Sequence, residues 1–450
     1  MNQPVPHLSG VVEVPMALSV EPYISPEYAR EEKDRLWLKT WQLACREEEI
    51  PRVGDFYTYE ILDQSVIVAR TGEDEVSAYH NACRHRGRRL LKGCGRATHF
   101  HCPYHGWQWN LQGDNTHVLD REDWAGTLDD KRLALKTVKV DRWAGFVFVN
   151  FDPESGPLSE FLEEVPHWLG PFEMEKMRYK WRQWLRYDCN WKVAVEAFIE
   201  GYHAVTTHPQ VAMFGGGKTG STSEGLHGRL FSVGTAGGGI GTGVGKVDAI
   251  DIREIPYKGL KQAQETVWSN TSDTFVAAAR TLPDVLPETA TQIDVSMKLM
   301  ETACRMDAER GVEWPRVDPQ HMMNVGINWH VFPNTVLLPN VTFCLGFRMR
   351  PDGFNPDSCI MEVFALERYP EGKEPETKWE HKPDMTGDNW PLLLKQDFRN
   401  LDEVQKGMHS VSHDGLLPNP NQEACVINFQ RNLAACMGRD APRLLDEERA

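Results

Sequence analysis

Two cysteines and two histidines stand in two short pairs within the first quarter of the chain. They form the pattern Cys-x-His followed by Cys-x-x-His, and the residues are Cys83, His85, Cys102 and His105. Two thiolates can bind one iron of a [2Fe–2S] cluster while two imidazoles bind the other. Because the members of each pair are close in sequence, two short loops can each present one sulfur and one nitrogen. The spacing therefore predicts a [2Fe–2S] cluster held by these side chains.

A zinc site is the main alternative, because zinc binds the same ligand types. Zinc fingers usually pair cysteine with cysteine and histidine with histidine along the chain, whereas here each pair mixes the two. Chance is the other alternative, since the chain contains 10 cysteines and 16 histidines. Chance rarely produces both of the sequences CRHRG and CPYHGW, so the cluster is the preferred interpretation.

A second set of candidate ligands follows Asn190, which is expected to cap the N-terminus of a helix. On a regular helix one face would carry Lys192, Glu196, Glu200 and His203. A charged face in contact with solvent is the simplest alternative to a binding site. His203 and His208 lie about 140° apart around a regular helix, so they can bind one metal only if the helix breaks. Pro209 disfavours helical geometry at His208 and so permits such a break.

A mononuclear Fe(II) site that activates dioxygen needs two histidines, one carboxylate and open positions. The third ligand can come from far along the chain. Within residues 396–408, a stripe of helical period comprises Asp397, Leu401, Val404 and Met408. Asp397 therefore lies on the apolar side of a predicted helix, where a carboxylate requires a cation, a metal or hydrogen bonds. We predict Asp397 as the third ligand; an aspartate hydrogen-bonded near a helix start is the alternative.

The remaining sequence patterns predict an α+β protein. Residues 46–150 contain short apolar runs separated by turn residues, which predicts a compact β module around the four cluster ligands. A second β region is predicted at 322–370. Further helices are predicted from Pro26 to Trp41 and at 260–310, 388–409 and 420–438, and loops in the glycine-rich stretch 214–245.

Composition and charge narrow the class of protein. The chain has 450 residues, of which 41% are hydrophobic and 25% charged, as in ordinary globular proteins. Its net charge of −16 argues against a nucleic-acid partner or an anionic membrane surface. No run approaches the roughly 18 apolar residues of a membrane span, and the N-terminus lacks the features of a signal peptide. The cysteines outside the predicted cluster show no pattern, which indicates reduced thiols and a cytoplasmic location.

Taken together, the motifs resemble the catalytic alpha subunit of Rieske non-haem iron oxygenases of the aromatic-ring-hydroxylating type. The resemblance covers nearly the whole chain and includes CRHRG, CPYHGW, NWK followed by EGYHAVTTHPQ, the FPN at 332–334, and QDFRNLDEVQKGM. It implies a Rieske β domain, an antiparallel β sandwich at 46–150, inserted into a catalytic domain formed by 1–45 and 151–450. That domain would be a helix-covered antiparallel sheet, in which His203, His208 and Asp397 ligate the mononuclear iron.

The resemblance also implies a function. The protein would be a terminal oxygenase that receives electrons from an NAD(P)H-dependent reductase, with or without a ferredoxin. It would activate O2 at Fe(II) and hydroxylate an aromatic or other hydrophobic substrate. The alternatives are monooxygenation or demethylation of a non-aromatic substrate, a pure [2Fe–2S] electron-transfer protein, and a zinc-stabilised binding protein. The implied assembly is a homotrimer, or an alpha3beta3 complex with a small beta subunit.

One residue departs from the family pattern. The best-known members carry aspartate three residues before the first iron-ligating histidine, and this chain has Glu200 there. In the family this carboxylate connects a Rieske histidine of the neighbouring subunit to an iron-ligating histidine. The corresponding Rieske histidine in this chain would be His105. Glutamate keeps the charge and is one methylene longer, so the same connection is expected here.

Overall fold

A computed structural model describes residues 16–212, 218–232 and 251–445. Part of the glycine-rich stretch 214–245 lies outside these residues. The prediction of loops is wrong for the described part, where Thr219–Glu224 and His227–Ser232 pair as antiparallel strands. The chain contacts define two compact units: Arg30–Phe161, and the residues up to Ala29 together with those from Leu162 onward. We call them the inserted unit and the split unit.

In the described residues, the strands, numbered in chain order, are β1 (Met16–Ala17), β2 (Gln42–Arg46), β3 (Asp55–Ile61), β4 (Gln64–Arg70), β5 (Val76–His80), β6 (Cys94–Arg96), β7 (Phe100–His101), β8 (Gln108–Trp109), β9 (Asn115–His117), β10 (Thr137–Trp143), β11 (Phe146–Asn150), β12 (Arg178–Tyr187), β13 (Thr219–Glu224), β14 (His227–Ser232), β15 (Asn328–Val331), β16 (Thr335–Pro339), β17 (Phe343–Asp352), β18 (Asn355–Glu367), β19 (Glu380–His381) and β20 (Arg443–Leu444). The α-helices are α1 (Glu21–Ile24), α2 (Pro26–Glu32), α3 (Asp130–Leu133), α4 (Leu158–Phe161), α5 (Val165–Leu169), α6 (Trp191–Glu196), α7 (Ala204–Thr207), α8 (Pro209–Ala212), α9 (Ile255–Thr266), α10 (Asp273–Val285), α11 (Gln292–Glu309), α12 (Pro319–Asn324), α13 (Leu392–Met408) and α14 (Ala424–Met437).

The inserted unit consists of two antiparallel sheets. The larger has the strand order β2-β11-β10-β5-β4-β3-β6 and the smaller β7-β8-β9. Side chains from both sheets, among them Ile67 and Tyr79 from the larger and Phe100 and Trp109 from the smaller, form one buried core. This arrangement confirms the predicted antiparallel sandwich. The unit begins before residue 46 because β2, which is buried along its whole length, pairs with β11.

The split unit is built on one large sheet with the order β13-β14-β15-β16-β17-β18-β12-β19. Its neighbouring strands are antiparallel, except that β19 runs parallel to β12. Helix α14 packs on β13 and β14, α6 packs on β17 and β18, and α13 packs on α6. The predicted helix-covered antiparallel sheet is therefore confirmed. The packing of α13 on α6 brings the two predicted iron-binding segments together.

The two ends of the described chain meet within the split unit. Strand β1 pairs with β20, so that Met16 faces Leu444, and Leu18 forms a further bridge with Leu416. Nearby, the side chains of Asn190 and Gln405 both donate hydrogen bonds to the carbonyl oxygen of Tyr23, at 3.0 and 3.1 Å.

Helix ends follow local sequence signals in several places. Thr291 and Asp294 form a reciprocal capping box at the start of α11. Gly438, with a φ of 64°, ends α14 in the left-handed conformation that glycine adopts readily. The helix predicted from Pro26 to Trp41 is shorter in the structure. It ends as a π-helical turn at Trp37, since the chain enters β2 at Gln42.

In the described residues, no helix has both the length and the apolar character that a membrane span requires.

Candidate metal centres

The two cysteine–histidine pairs lie on two loops with the same backbone hydrogen bonds. In the first loop, the Cys83 N–H donates to the carbonyl of Arg88 at 2.8 Å, and the Gly87 N–H donates to the carbonyl of Cys83 at 2.9 Å. The second loop repeats these bonds at 2.9 and 3.0 Å, between Cys102, Trp107 and Gly106. Gly87 and Gly106 have φ values of 76° and 75°, a conformation that favours glycine. The sequence motifs thus encode two copies of one ligand-presenting loop.

The four predicted ligands are arranged as a pair of thiols and a pair of imidazoles. The thiols of Cys83 and Cys102 are buried and in hydrogen-bond contact. The Nδ1 atoms of His85 and His105 lie 3.2 Å apart. In the described residues, no three of these four side chains bring their ligating atoms within 4.8 Å of one another. One zinc ion would bring all of its ligands within about 4 Å of one another, so the separated pairs fit a cluster of two irons better.

The first predicted mononuclear iron ligand follows a helix that ends early. Asn190 caps α6 as predicted, since its side chain accepts a hydrogen bond from the Lys192 N–H at 3.0 Å. The prediction that Glu200 and His203 continue one helical face is wrong, because α6 ends at Glu196. Instead, the Glu200 carboxylate accepts hydrogen bonds from the backbone N–H groups of Tyr202 and of His203, the latter at 3.2 Å. A side chain that binds the backbone in this way competes with helical hydrogen bonds.

Close packing also requires the irregular path at Gly201. A Cβ atom there would lie 2.5 Å from the Thr219 hydroxyl, so only glycine lets the chain pass β13 at this distance. His203 then occupies the N-cap position of the short helix α7, which ends at Thr207, so that His208 follows the helix directly before Pro209. The predicted break is present, and it places the two histidine rings 5.2 Å apart between centroids.

The third predicted ligand meets both histidines. Asp397 is buried on α13, and its Oδ1 lies 2.9 Å from His208 Nε2 and 3.5 Å from His203 Nε2. The three ligating atoms lie within 4.8 Å of one another. Val404, expected on the same buried stripe, is instead 43% exposed, because this side of α13 faces a cavity.

Several contacts show that a metal fits this set. The other carboxylate oxygen of Asp397, Oδ2, is buried and has no hydrogen-bond partner among the described residues, a costly state without a cation. The Nδ1 atoms are engaged away from the site, His203 with Glu200 and His208 with Gln396 at 2.9 Å. Such outer contacts are typical of metal-binding histidines and leave Nε2 for the ion. Burial alone would lower the pKa of His203, but Asp397 and Glu200 raise it to about 10.

A cavity of about 710 Å³ adjoins the predicted iron ligands. Its polar wall includes Glu196, Glu200, His203, Asp397 and Glu423, and its apolar wall includes Leu18, Val193, Leu401, Met408 and Val426. The sequence did not single out Gln396, Glu423 or a separate role for Glu196. The sequence feature that could have identified Gln396 as a site residue is its position next to Asp397.

Two protein-family models match the chain. The family described as "Ring hydroxylating alpha subunit (catalytic domain)" matches residues 173–439, and the family described as "Rieske [2Fe-2S] domain" matches residues 40–125. The first range contains the histidine pair and Asp397, and the second contains both cysteine loops. The predictions of a [2Fe–2S] cluster and a mononuclear iron are therefore confirmed at the level of the family.

Similar curated proteins are monooxygenases, or their oxygenase subunits, named for carnitine, glycine betaine and choline. The carnitine monooxygenase oxygenase subunit of Escherichia coli is 32% identical over 187 residues, which are 40% of this chain and 48% of that protein. The glycine betaine monooxygenase oxygenase subunit of Pseudomonas aeruginosa is 34% identical over 38% of this chain and 40% of its own. The chloroplastic choline monooxygenase of Amaranthus tricolor is 32% identical over 42% of this chain and 44% of its own. The chain thus spans about half the length of the curated relatives it matches, or somewhat less.

Solved structures share the fold over almost the entire chain. A quaternary ammonium Rieske monooxygenase in complex with L-carnitine has a TM-score of 0.62 at 17% identity, covering 94% of this chain and 96% of its own. A naphthalene 1,2-dioxygenase variant bound to phenanthrene has a TM-score of 0.65 at 18% identity, covering 94% and 92%. At these identities the likeness concerns the fold.

Proposed function

Because the chain belongs to the family of ring-hydroxylating alpha subunits with a Rieske domain, we propose that it is the terminal oxygenase of an electron-transfer system. The observation that carries this proposal is the convergence of His203, His208 and Asp397. A pure [2Fe–2S] electron carrier has no use for a second set of ligands, and the separated thiol and imidazole pairs fit one zinc ion less well than a cluster of two irons.

The chain's own residues would prepare this site for chemistry. His203, His208 and Asp397 would hold Fe(II), which supplies the oxygen-activating chemistry when bound. Glu200 and Gln396 fix the orientation of the two imidazole rings through Nδ1. Gln396 is itself held by Gln210, whose amide donates to it at 2.6 Å. Cys83, His85, Cys102 and His105 would hold the cluster through which electrons enter.

We propose that the reaction is monooxygenation of a small quaternary ammonium compound, which was the non-aromatic alternative to an aromatic substrate. The support is the activity for which three relatives are named, on carnitine, glycine betaine and choline. Hydroxylation of an aromatic ring is the second candidate, since a naphthalene dioxygenase shares the fold. The substrate pocket was expected to use 205–245 and 322–345, and part of the first range lies outside the described residues.

A substrate panel tests this proposal. The holoenzyme, with a generic reductase and NADH, would be given carnitine, glycine betaine, choline and naphthalene in separate reactions. Substrate-dependent oxygen consumption and a hydroxylated or demethylated product from a quaternary ammonium compound are expected. Turnover of naphthalene alone would favour the aromatic reading. Failure of a fully iron-loaded protein to oxygenate any member would contradict the proposed activity.

The electron donor is proposed to dock near the cluster loops. The stretch 83–102 contains no acidic residue, although the whole chain has a net charge of −16. Exposed cations in this stretch are Arg86, Arg88, Arg89, Lys92 and Arg96. They would attract an acidic reductase or ferredoxin. None of the ten cysteines, all of which lie in the described residues, forms a disulfide, which fits the predicted cytoplasmic location.

We further propose that the protein assembles as a ring of three copies, alone or with a beta subunit, in which Glu200 of one copy meets His105 of the next. Closed rings of this kind are a permitted symmetry. Glu200 already contacts His203 Nδ1, so one carboxylate would join the two imidazoles. Charge-assisted hydrogen bonds of this type contribute roughly 1.5–3 kcal/mol each.

Glu200→Gln tests the route of electrons. The amide keeps the shape and an acceptor oxygen but removes the charge, so single-turnover hydroxylation should slow by at least about tenfold, or ~1.4 kcal/mol in the barrier. Iron content, the Rieske spectrum and the trimer should be unchanged. Glu403→Gln is the matched control, because Glu403 is exposed and pairs with Lys406. Wild-type turnover by Glu200→Gln, or full activity from a demonstrated monomer, would rule out this route.

A further inference from the structure

Glu196 is a buried acid with one oxygen fixed by the protein. It is 8% exposed at the end of α6. Its Oε1 accepts hydrogen bonds from the Tyr23 hydroxyl at 2.7 Å and from the Gln430 side-chain amide at 2.6 Å. Within the described part of the chain, no hydrogen bond ends on Oε2. Because Glu196 lines the cavity, the carboxyl group has one oxygen anchored and one available to water.

The cavity connects this acid with the predicted iron site and with solvent. Its wall contains Glu196 as well as His203 and Asp397. Val404 and Leu417 also line it and are 43% and 69% exposed, so the cavity is open to solvent at that side. A water molecule occupies about 30 Å³ in the liquid, so a volume of about 710 Å³ has room for a chain of waters.

The proposed reaction creates a need for such an acid. Hydroxylation of a substrate RH by O2 consumes two electrons and two protons and yields ROH and water. The electrons would come from the reductase through the cluster, but the protons must reach the iron pocket from elsewhere. This requirement, and therefore the inference that follows, rests on the proposed oxygenase function.

We propose that Glu196 is the proton donor for oxygen activation, acting through water in this cavity. In each transfer the O–H bond at Oε2 breaks, a cavity water takes the proton, and the carboxylate regains a proton from solvent through the cavity mouth. Tyr23 and Gln430 hold the carboxyl group in place and do not themselves lose a proton.

The charges around Glu196 suit this role. Burial raises the pKa of Glu196 to about 7, although the hydrogen bonds from Tyr23 and Gln430 and the charge of Lys192 lower it. The facing groups are Tyr23 on α1, Lys192 on α6 itself, and Glu423 immediately before α14. Burial also raises the pKa of Glu423. An acid with a pKa near the working pH can both give and regain a proton.

Glu196→Gln is the decisive variant. The amide oxygen can still accept the hydrogen bonds from Tyr23 and Gln430, but the residue has no proton to transfer. Single-turnover hydroxylation at neutral pH should slow by at least about a hundredfold, the lower end of the range for general acids. The wild-type rate should fall as the pH rises through 7, where Glu196 loses its proton, and this fall should be absent in the variant.

Two further measurements separate proton donation from a structural role. Tyr23→Phe removes one hydrogen bond but keeps the acid, so it should keep the pH-dependent fall, displaced to higher pH because a contact that lowers the pKa is gone. Infrared spectra of the oxidised holoenzyme, titrated across neutrality, should show a protonated carboxyl band that vanishes with rising pH. The band should be absent in Glu196→Gln.

The results that would overturn the proposal are specific. A Glu196→Gln protein with the wild-type rate and pH profile, or an unchanged infrared titration, would show that Glu196 does not supply the proton. Equal damage from Tyr23→Phe and Glu196→Gln would assign both residues to structure. If the wild-type protein hydroxylated no substrate, the proposed function would fail instead, while the infrared titration would still decide whether Glu196 exchanges a proton near neutral pH.

Discussion

Replacing Asp397 with alanine is expected to remove one iron per chain and to abolish hydroxylation. Asp397 is the only carboxylate in the set of three ligands that the described structure brings within 4.8 Å. Two neutral imidazoles without a carboxylate bind Fe(II) poorly, because the site loses both a ligand and its negative charge. The visible and EPR spectra of the cluster should persist, since Cys83 and Cys102 belong to a separate unit. Iron analysis and single-turnover product yield would measure both effects.

Asp402→Ala is the matched control on the same helix. Its carboxylate pairs with Lys406 at 3.0 Å and takes no part in the predicted site. This variant should keep both irons and its activity. Normal iron content in Asp397→Ala, or loss of the mononuclear iron in Asp402→Ala, would show that the ligand assignment on α13 is incorrect.

The second large effect is expected at the cluster. Replacing His105 with cysteine should lower the reduction potential by roughly half of the ~250 mV or more that separates Rieske centres, at about −150 to +300 mV, from all-thiolate plant-type centres near −400 mV, because one histidine ligand remains. A redox titration followed by EPR would measure the change. His117→Cys is the control, since His117 is an exposed residue of β9 in the same unit. An unchanged potential in a His105→Cys protein that retains its cluster would remove His105 from the ligand set.

Residue type and spacing, together with the family resemblance, were sufficient to predict that His203, His208 and Asp397 lie together, because metal coordination restricts both type and spacing. The prediction that His203 and His208 need a broken helix follows from the angle per residue, and the break occurs next to Pro209 as expected. Asp397 was predicted from the period of α13, and the helix buries it. Both the helix break next to Pro209 and the burial of Asp397 depend on residues that are close together in sequence.

The parts that sequence did not predict depend on contacts between distant segments. Helix α6 ends at Glu196 because Glu200 binds the following backbone and because Gly201 packs against Thr219, which is distant in sequence. Gln396 is visible as an outer partner of His208 only once α13 lies beside it. The sequence predicts Glu196 on a charged helix face. Its burial depends on Tyr23 and Gln430, which are distant in sequence and hydrogen-bond to it.

The pairing of β1 with β20 has a consequence for the order in which the protein is made. Met16 is among the first described residues to leave the ribosome, yet its partner Leu444 is among the last. The inserted unit ends at Phe161 and holds its own core, so it can fold while synthesis continues. At about 5–20 residues per second, the N-terminal segment then waits on the order of tens of seconds for its partner strand. During that interval Met16 and Leu18, which are buried in the folded protein, are without their partners Leu444 and Leu416.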